Sequence, residues 1–249
     1  MTPKTKIYFA SDFHLGAPDY NSSLVREKKI VRWLDEIKGD AKELYLIGDI
    51  FDFWFEYKHT VPKGYTRLLG KLAELSDNGT RISVFTGNHD LWMKDYLVKE
   101  LNVKIYRHAE TREIDGKIFY IAHGDGLGPG DKGYKMMKRV FTNPLSQWLY
   151  SRVHPNAGIS MANYFSRKSR AHTGKNDAKF LGEENEWLII HSKEILKKEK
   201  IDYFIYGHRH YPLALPLNGA TYINLGDWIN YFTYAVWDGE RLELKEYIG

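Results

Sequence analysis

Along the first hundred residues the apolar positions switch between two periods. The runs KIYFAS (6–11), ELYLIGD (43–49) and RISVFTGN (81–88) are short, apolar and closed by polar or glycine residues, which predicts buried strands. Between them, SSLVREKKIVRWLDEIK (22–38) carries Leu24, Val25, Ile30, Val31, Leu34 and Ile37 at helical spacing, with Ser22 or Ser23 as the expected cap. GYTRLLGKLAELSDNG (64–79) predicts a second helix stopped by Asn-Gly, and WMKDYLVKEL (92–101) a third. Further on, Asp115-Gly116, Asn218-Gly219 and Asp238-Gly239 each sit between strand-like runs and predict hairpins with type I′ turns. Parallel βαβ units followed by antiparallel hairpins predict an α/β fold, a two-sheet α/β sandwich covered by helices, as one domain over 1–249.

One stretch departs from this pattern. Residues 132–176 hold nine of the 36 Lys/Arg and none of the 32 Asp/Glu, so the mild net charge of +4 hides a basic segment on an acidic body. The same stretch is rich in Met, Trp, Tyr, Phe and Leu. Basic and apolar residues interleaved at helical spacing predict a helical insertion, over 127–176, facing a membrane surface or an amphiphile. The plainer alternative is a helical hairpin packed on the main domain with solvated lysines.

Composition narrows the chemistry. With 43% apolar and 27% charged residues, the 249-residue chain is globular rather than disordered. It has no Cys, which excludes disulfide scaffolds, zinc–thiolate sites and cysteine nucleophiles. The four-residue run IYFA near the start is too short for a signal peptide, and no stretch reaches the ~18 apolar residues a spanning helix needs. The expectation is a cytoplasmic protein, free or peripheral on a membrane.

Five short motifs place metal-ligand residue types just after predicted strands: Asp12-Phe-His14, Gly48-Asp49, Gly87-Asn88-His89-Asp90, His123-Gly-Asp125 and Gly207-His208-Arg-His210. Any one of them alone is ordinarily a turn or a surface histidine. Asp, His and Asn together suit divalent ions of borderline hardness such as Mn2+, Fe2+ or Zn2+. Asp49 has two oxygens and can bridge a pair of ions. Asp12, His14, Asp49, Asn88, His123, His208 and His210 are too many ligands for one tetrahedral ion and suit two. Ligand sites of open α/β sheets lie at the carboxyl ends of strands, where all five motifs fall. His59, His108, His154 and His191 match no such spacing and read as surface or structural.

The order Asp-x-His, Gly-Asp-x-x-Asp, Gly-Asn-His-Asp, His-Gly-Asp, Gly-His-x-His resembles the calcineurin-like metallophosphoesterases over residues 12–210. That resemblance implies a dinuclear site, with Asp12, His14, Asp49 and His210 on one ion and Asp49, Asn88, His123 and His208 on the other. Two ions would lower the pKa of a bridging water and hold both oxygens of an in-line displacement, so the expected nucleophile is hydroxide. His89 would stabilise charge or protonate the leaving group. Its family partner is the second Asp of Gly-Asp-x-x-Asp, here Asp52, expected to raise the imidazole pKa and fix its tautomer.

The aromatic run after Asp49 and the basic insertion after His123 are similar to the UDP-2,3-diacylglucosamine hydrolases of lipid A synthesis. Those enzymes cut a diphosphate to UMP and 2,3-diacylglucosamine 1-phosphate under a helical lid that binds acyl chains. The resemblance implies substrate contacts from Asn88, His89, Asp131, Tyr134, His172, Lys175 and His208. It also implies residence at the cytoplasmic face of the inner membrane, with two divalent ions, Mn2+ foremost. Where the best-known members carry Arg after the metal-binding Asn, this chain has His89. The competing expectations are a phosphoesterase of another lipid diphosphate, nucleotide, nucleic acid or phosphoprotein, and a scaffold that has lost its ions. No ligand position is empty, which disfavours the scaffold. Interleaved Met and Leu suit acyl chains better than nucleic acid, and no obligate protein partner is implied.

Overall fold

The period-two pattern of the first strands resolves into two faces. In the computed structural model, which describes residues 4–129, 132–177 and 179–249 (side chains outside 132 and 167–177), the predicted strands form as β1 (Lys6–Ala10), β2 (Ala41–Ile47) and β3 (Arg81–Phe85). Ile7, Phe9, Tyr45, Ile47 and Phe85, with Trp237 farther along the same sheet, point to a core shared with a second sheet, where Phe119, Ile121, Ile205 and Ile223 meet them. Tyr8, Ala10, Leu44, Leu46, Ile82 and Val84 point the other way, into a core with the covering helices. Successive side chains alternate across a strand, so strands apolar throughout are buried on both faces.

The remaining strands are β4 (Lys104–Tyr106), β5 (Glu110–Ile114), β6 (Lys117–Ala122), β7 (Tyr203–Tyr206), β8 (Leu213–Leu217), β9 (Ala220–Asn224), β10 (Thr233–Trp237) and β11 (Leu242–Glu246). They complete a six-stranded sheet ordered β11-β10-β1-β2-β3-β4 and a five-stranded sheet ordered β5-β6-β7-β9-β8. Pairings β1–β2–β3–β4 and β6–β7–β9 are parallel; the hairpin partners are antiparallel. Helices α1 (Tyr20–Ile37), α2 (Thr66–Asp77) and α3 (Tyr96–Leu101) accompany the first sheet, and α7 (Trp187–Leu196) packs on the second through Leu188 and Ile189. This is the expected two-sheet α/β sandwich.

Local chemistry revises several element ends. The cap of α1 is Asp19, whose carboxylate accepts from the Ser22 N–H at 3.0 Å, while the Ser23 hydroxyl accepts from Gly16 N–H at 2.7 Å instead. The start of α2 has no cap of its own; buried Glu27 of α1 accepts from the N–H groups of Arg67 and Leu68 at 2.9 and 3.1 Å. The third predicted helix begins only at Tyr96, because Trp92 is taken by a bridge to Phe55 and Met93 N–H by Asp90 O. Asp115-Gly116 and Asn218-Gly219 adopt positive φ at both residues, as type I′ requires. The third hairpin differs: a four-residue loop, 238–241, in which the Asp238 carboxylate accepts from Glu240 and Arg241 N–H, both at 2.9 Å.

Between β6 and α7 the chain forms α4 (Lys132–Thr142), α5 (Pro144–Tyr150) and α6 (Pro155–Asp177). The Tyr150 ring lies 4.7 Å from both the Phe55 and Trp92 rings, and Trp92 Nε1–H donates to Phe141 O at 2.7 Å. The aromatic run after Asp49 is thus divided. Phe51 and Trp54 are core, whereas Phe53 and Phe55 receive the inserted helices. Among the described residues no helix is long and apolar enough to cross a membrane.

Candidate metal centre

Parallel pairing sends the ends of β1, β2 and β3 to one edge, and those of β6, β7 and β9 to the facing edge of the second sheet. The loops there are laced by backbone bonds: Asp12 N–H to Gly48 O, His14 N–H to Asp49 O, Gly207 N–H to His123 O and Trp228 N–H to Asp12 O. All seven residues expected as ligands converge in this place. Three groups of side chains offer donor atoms within 4.8 Å of one another: Asp12, His14 and His210; Asp49, His123 and His208; and His14, Asp49 and His89. Asn88 joins them, its Oδ1 3.2 Å from His123 Nε2.

The backbone is bent to achieve this. Asp12, His14, Asp49, His208 and His210 all have positive φ, between 35° and 68°. Left-handed backbone is unfavourable for side chains other than glycine, and clusters of it mark sites over-determined by their surroundings. Space is equally constrained. A Cβ at Gly48 would lie 2.5 Å from His123 Nδ1, and one at Gly87 would run into the Asp49 carboxylate.

The outer nitrogens of His123 and His210 are tied so that the inner ones face the cluster. His123 Nδ1 donates to Ile47 O at 2.8 Å, leaving Nε2 beside Asn88 and 3.4 Å from Asp49 Oδ2. His210 Nδ1 faces Asp227 Oδ2 at 3.3 Å, leaving Nε2 at 3.4 Å from Asp12 Oδ1 and 3.1 Å from His14 Nε2. Partners of this kind are how metal-binding histidines are oriented. Asp12 Oδ2 accepts from Ser11 Oγ and, at 2.9 Å, from His208 N–H, while buried Asp12 Oδ1 has no hydrogen-bond donor. A buried carboxylate oxygen facing two imidazole nitrogens at 3.6 and 3.4 Å, with no hydrogen bond of ordinary length, is what a cation would satisfy. The donor set fits divalent ions.

Electrostatics without a cation reflect that concentration of charge. Burial would push Asp49 up, but His123 and the neighbouring histidines hold its carboxyl well below the usual range. Burial opposes protonation of His123 and His210, yet Asp49 carries the former up to about 10, and Asp12 with Asp227 the latter to about 10. His208 and His89 are pushed down to about 4, chiefly by burial. For His89 this runs against the rise expected from Asp52, because burial outweighs the neighbouring carboxylates, the nearest Asp52 oxygen standing 3.6 Å from Nδ1.

Of the other expected residues, Asp52 and His89 are adjacent, with His89 Nδ1 3.0 Å from Asp52 O and His89 N–H donating to Asp49 Oδ1 at 2.8 Å. Tyr134 lies on α4 and donates its hydroxyl to Asp125 Oδ2 at 2.5 Å. Asp131 lies outside the described residues, as do the side chains of His172 and Lys175.

Several residues of the site take roles that the sequence reading does not assign. Asp227 follows Gly226 at the end of β9, the same Gly-Asp grammar as at 48–49, and could have been found by it. Asp90 is fully buried and binds the N–H groups of Gly87 and Ile50 at 2.7 and 2.9 Å, joining two ligand loops; burial, then the Asp49 charge, pushes it up to about 7. Asp125 pairs with Lys138 of α4 at 2.5 Å. Arg209, between two of the expected ligands, is buried against Glu186, which accepts from its Nε at 3.0 Å and an Nη at 2.9 Å. The first pair ties a loop of the site to the inserted helix α4 and the second ties another to the segment just before α7, and nothing in local sequence announces either pairing.

The fold and this constellation define a phosphoesterase, and the chain belongs to the calcineurin-like phosphoesterase family, whose model matches residues 5–212. It is accordingly a hydrolase of a family whose site implies divalent metal ions. Among characterised relatives, the UDP-2,3-diacylglucosamine hydrolase of Porphyromonas gingivalis is 43% identical, with 97% of each chain covered. That of Ectopseudomonas mendocina is 28% identical, covering 89% of this chain and 90% of the relative.

Proposed function

We propose that this hydrolase cleaves the diphosphate of UDP-2,3-diacylglucosamine, releasing UMP and 2,3-diacylglucosamine 1-phosphate. What carries the reading is 43% identity along 97% of both chains to a relative named for that substrate. The ligand sets are Asp12, His14, Asp49 and His210 on one side and Asp49, Asn88, His123 and His208 on the other, with Mn2+ as the preferred ion. Divalent cations held there polarise phosphoryl oxygens and acidify water.

The side chains around them do the rest. Asn88 and His208 hold the diphosphate, and His89 meets the phosphoryl group that is attacked. An arriving anion favours the charged imidazole, offsetting the burial that disfavours it. The helices α4–α6 act as the lid, with Tyr134 at its base and Asp131, His172 and Lys175 as its polar contacts. Met136, Leu145, Trp148, Leu149, Tyr164 and Phe165 are exposed there, where acyl chains contribute ~0.8 kcal/mol per buried CH₂. The basic residues among them favour the anionic cytoplasmic face of the inner membrane by ~1 kcal/mol each. His89 in place of Arg favours, as a second reading, another lipid diphosphate.

The test is turnover of UDP-2,3-diacylglucosamine beside a small chromogenic phosphodiester. UMP release, lost on chelation and restored best by Mn2+, is expected. The double variant Leu145→Ser, Trp148→Ser is expected to raise KM for the acylated substrate at least about 10-fold while leaving the small ester unaffected. Hydrolysis of the small ester alone would remove this substrate and leave the phosphoesterase.

A further inference from the structure

The Asp52 carboxylate does not reach the His89 ring directly, and a hydroxyl from the inserted helices fills the gap. Ser166, on α6, donates from Oγ to Asp52 Oδ2 at 3.0 Å and stands 3.1 Å from His89 Nδ1. A hydroxyl has one proton and two lone pairs. With its proton on the carboxylate, Ser166 presents a lone pair to Nδ1. The second neighbour of Nδ1 is Asp52 O at 3.0 Å, which only accepts. Both contacts therefore require the proton on Nδ1 and leave Nε2 as the nitrogen able to exchange one.

We propose that Ser166 is a positioning residue for His89: it relays the Asp52 carboxylate to the imidazole, so the catalytic pair is complete only when α6 is seated on the loop after β2. The proposal rests on His89 acting in the hydrolysis described above. It concerns no ligand of the ions and no contact with acyl chains. Ser166 lies one turn or more before the expected lid contacts His172 and Lys175, and no motif includes it. Because the hydroxyl comes from the insertion, the inserted helices bear on the chemical step itself as well as on the choice of substrate. A small ester with no acyl chain feels this contact too.

Ser166→Ala tests it, in the full-length protein, since alanine is the best helix former and keeps α6 intact. With the small phosphodiester, kcat is expected to fall about 5–10-fold with KM within about 2-fold, the loss of one hydrogen bond in the transition state. Ser166→Thr, which keeps the hydroxyl, should restore most of it. Asp52→Asn alone should cost a similar factor, and the double variant Asp52→Asn, Ser166→Ala little more than either, because both break one relay. A second readout is independent of turnover. In protein loaded with diamagnetic Zn2+, the His89 Nδ1–H proton should be protected from solvent exchange and lose that protection in Ser166→Ala.

Unchanged kcat and unchanged Nδ1–H protection in Ser166→Ala overturn the proposal, as do fully multiplicative losses in the double variant. Failure of the wild-type protein to hydrolyse any phosphoester would instead overturn the functional reading, while the exchange measurement would still decide the contact.

Discussion

His14 Nε2 and His210 Nε2 stand 3.1 Å apart, although 196 residues separate them in the chain. Each is also close to Asp12 Oδ1, at 3.6 and 3.4 Å. Two neutral imidazole lone pairs repel at that distance, so the arrangement is favourable only with a positive charge shared among the three groups. A divalent cation held among them would supply that charge.

Cation uptake should therefore release protons. Without a cation, His123 and His210 bind protons up to about pH 10, and as ligands they must be neutral. Both pKa values are raised, so at neutral pH the protons are present and compete with the ion. Affinity is expected to weaken as pH falls from about 8 to 6, by up to about 10-fold per pH unit for each proton displaced. Calorimetric titration with Mn2+ in buffers of different ionisation enthalpy measures the released protons directly; no release would contradict the assignment of these two histidines.

Removing a ligand should separate fold from chemistry. Asp49→Ala and His123→Ala are each expected to lower turnover by about 10³-fold or more, since several kcal/mol of charge stabilisation is lost. Far-ultraviolet circular dichroism should stay that of the wild type, because the two-sheet core contains neither side chain. Near-normal turnover in either variant would end the dinuclear reading.

Asp227→Asn keeps shape and removes the charge behind His210. Loss of such an outer partner ordinarily costs about 10–100-fold in metal affinity. The expected result is a weaker Mn2+ titration with turnover recovered at saturating Mn2+. An unaltered titration would make Asp227 a turn residue only, one that accepts from the N–H groups of Ile229, Asn230 and Tyr231.

Arg209→Met leaves Glu186 buried without its bidentate partner. Breaking a buried pair from one side costs about 3–5 kcal/mol. Urea unfolding of the chelated protein should show that loss, and the double variant Arg209→Met, Glu186→Leu should regain a large part of it. Equal stability of Arg209→Met and wild type would show the pair to be solvated in solution.

How much of this was legible before folding follows from the range of each interaction. The strands β1 to β3, the helices between them and two of the three tight hairpins are written in short-range patterns, because side-chain alternation, helical spacing and Asp-Gly or Asn-Gly turns act within a few residues. The candidate ligands were legible for a related reason. Asp, His and Asn beside glycine at strand ends are local signals, and parallel pairing brings strand ends together. The residues behind the ligands left no such trace. Asp227 behind His210, Glu186 behind Arg209 and Ser166 between Asp52 and His89 find their partners across 17 to 114 positions of chain.

The same limit explains His89. The family resemblance implied an imidazole raised by Asp52, but burial depends on what the rest of the chain places around it, and burial dominates. The one-dimensional pattern therefore determined which residues could bind ions and where the strands that carry them run. Packing decided which protons those residues hold and which helix of the insertion reaches the chemistry, because desolvation and hydrogen bonding between distant segments exist only once the two sheets and their inserted helices have closed around the site.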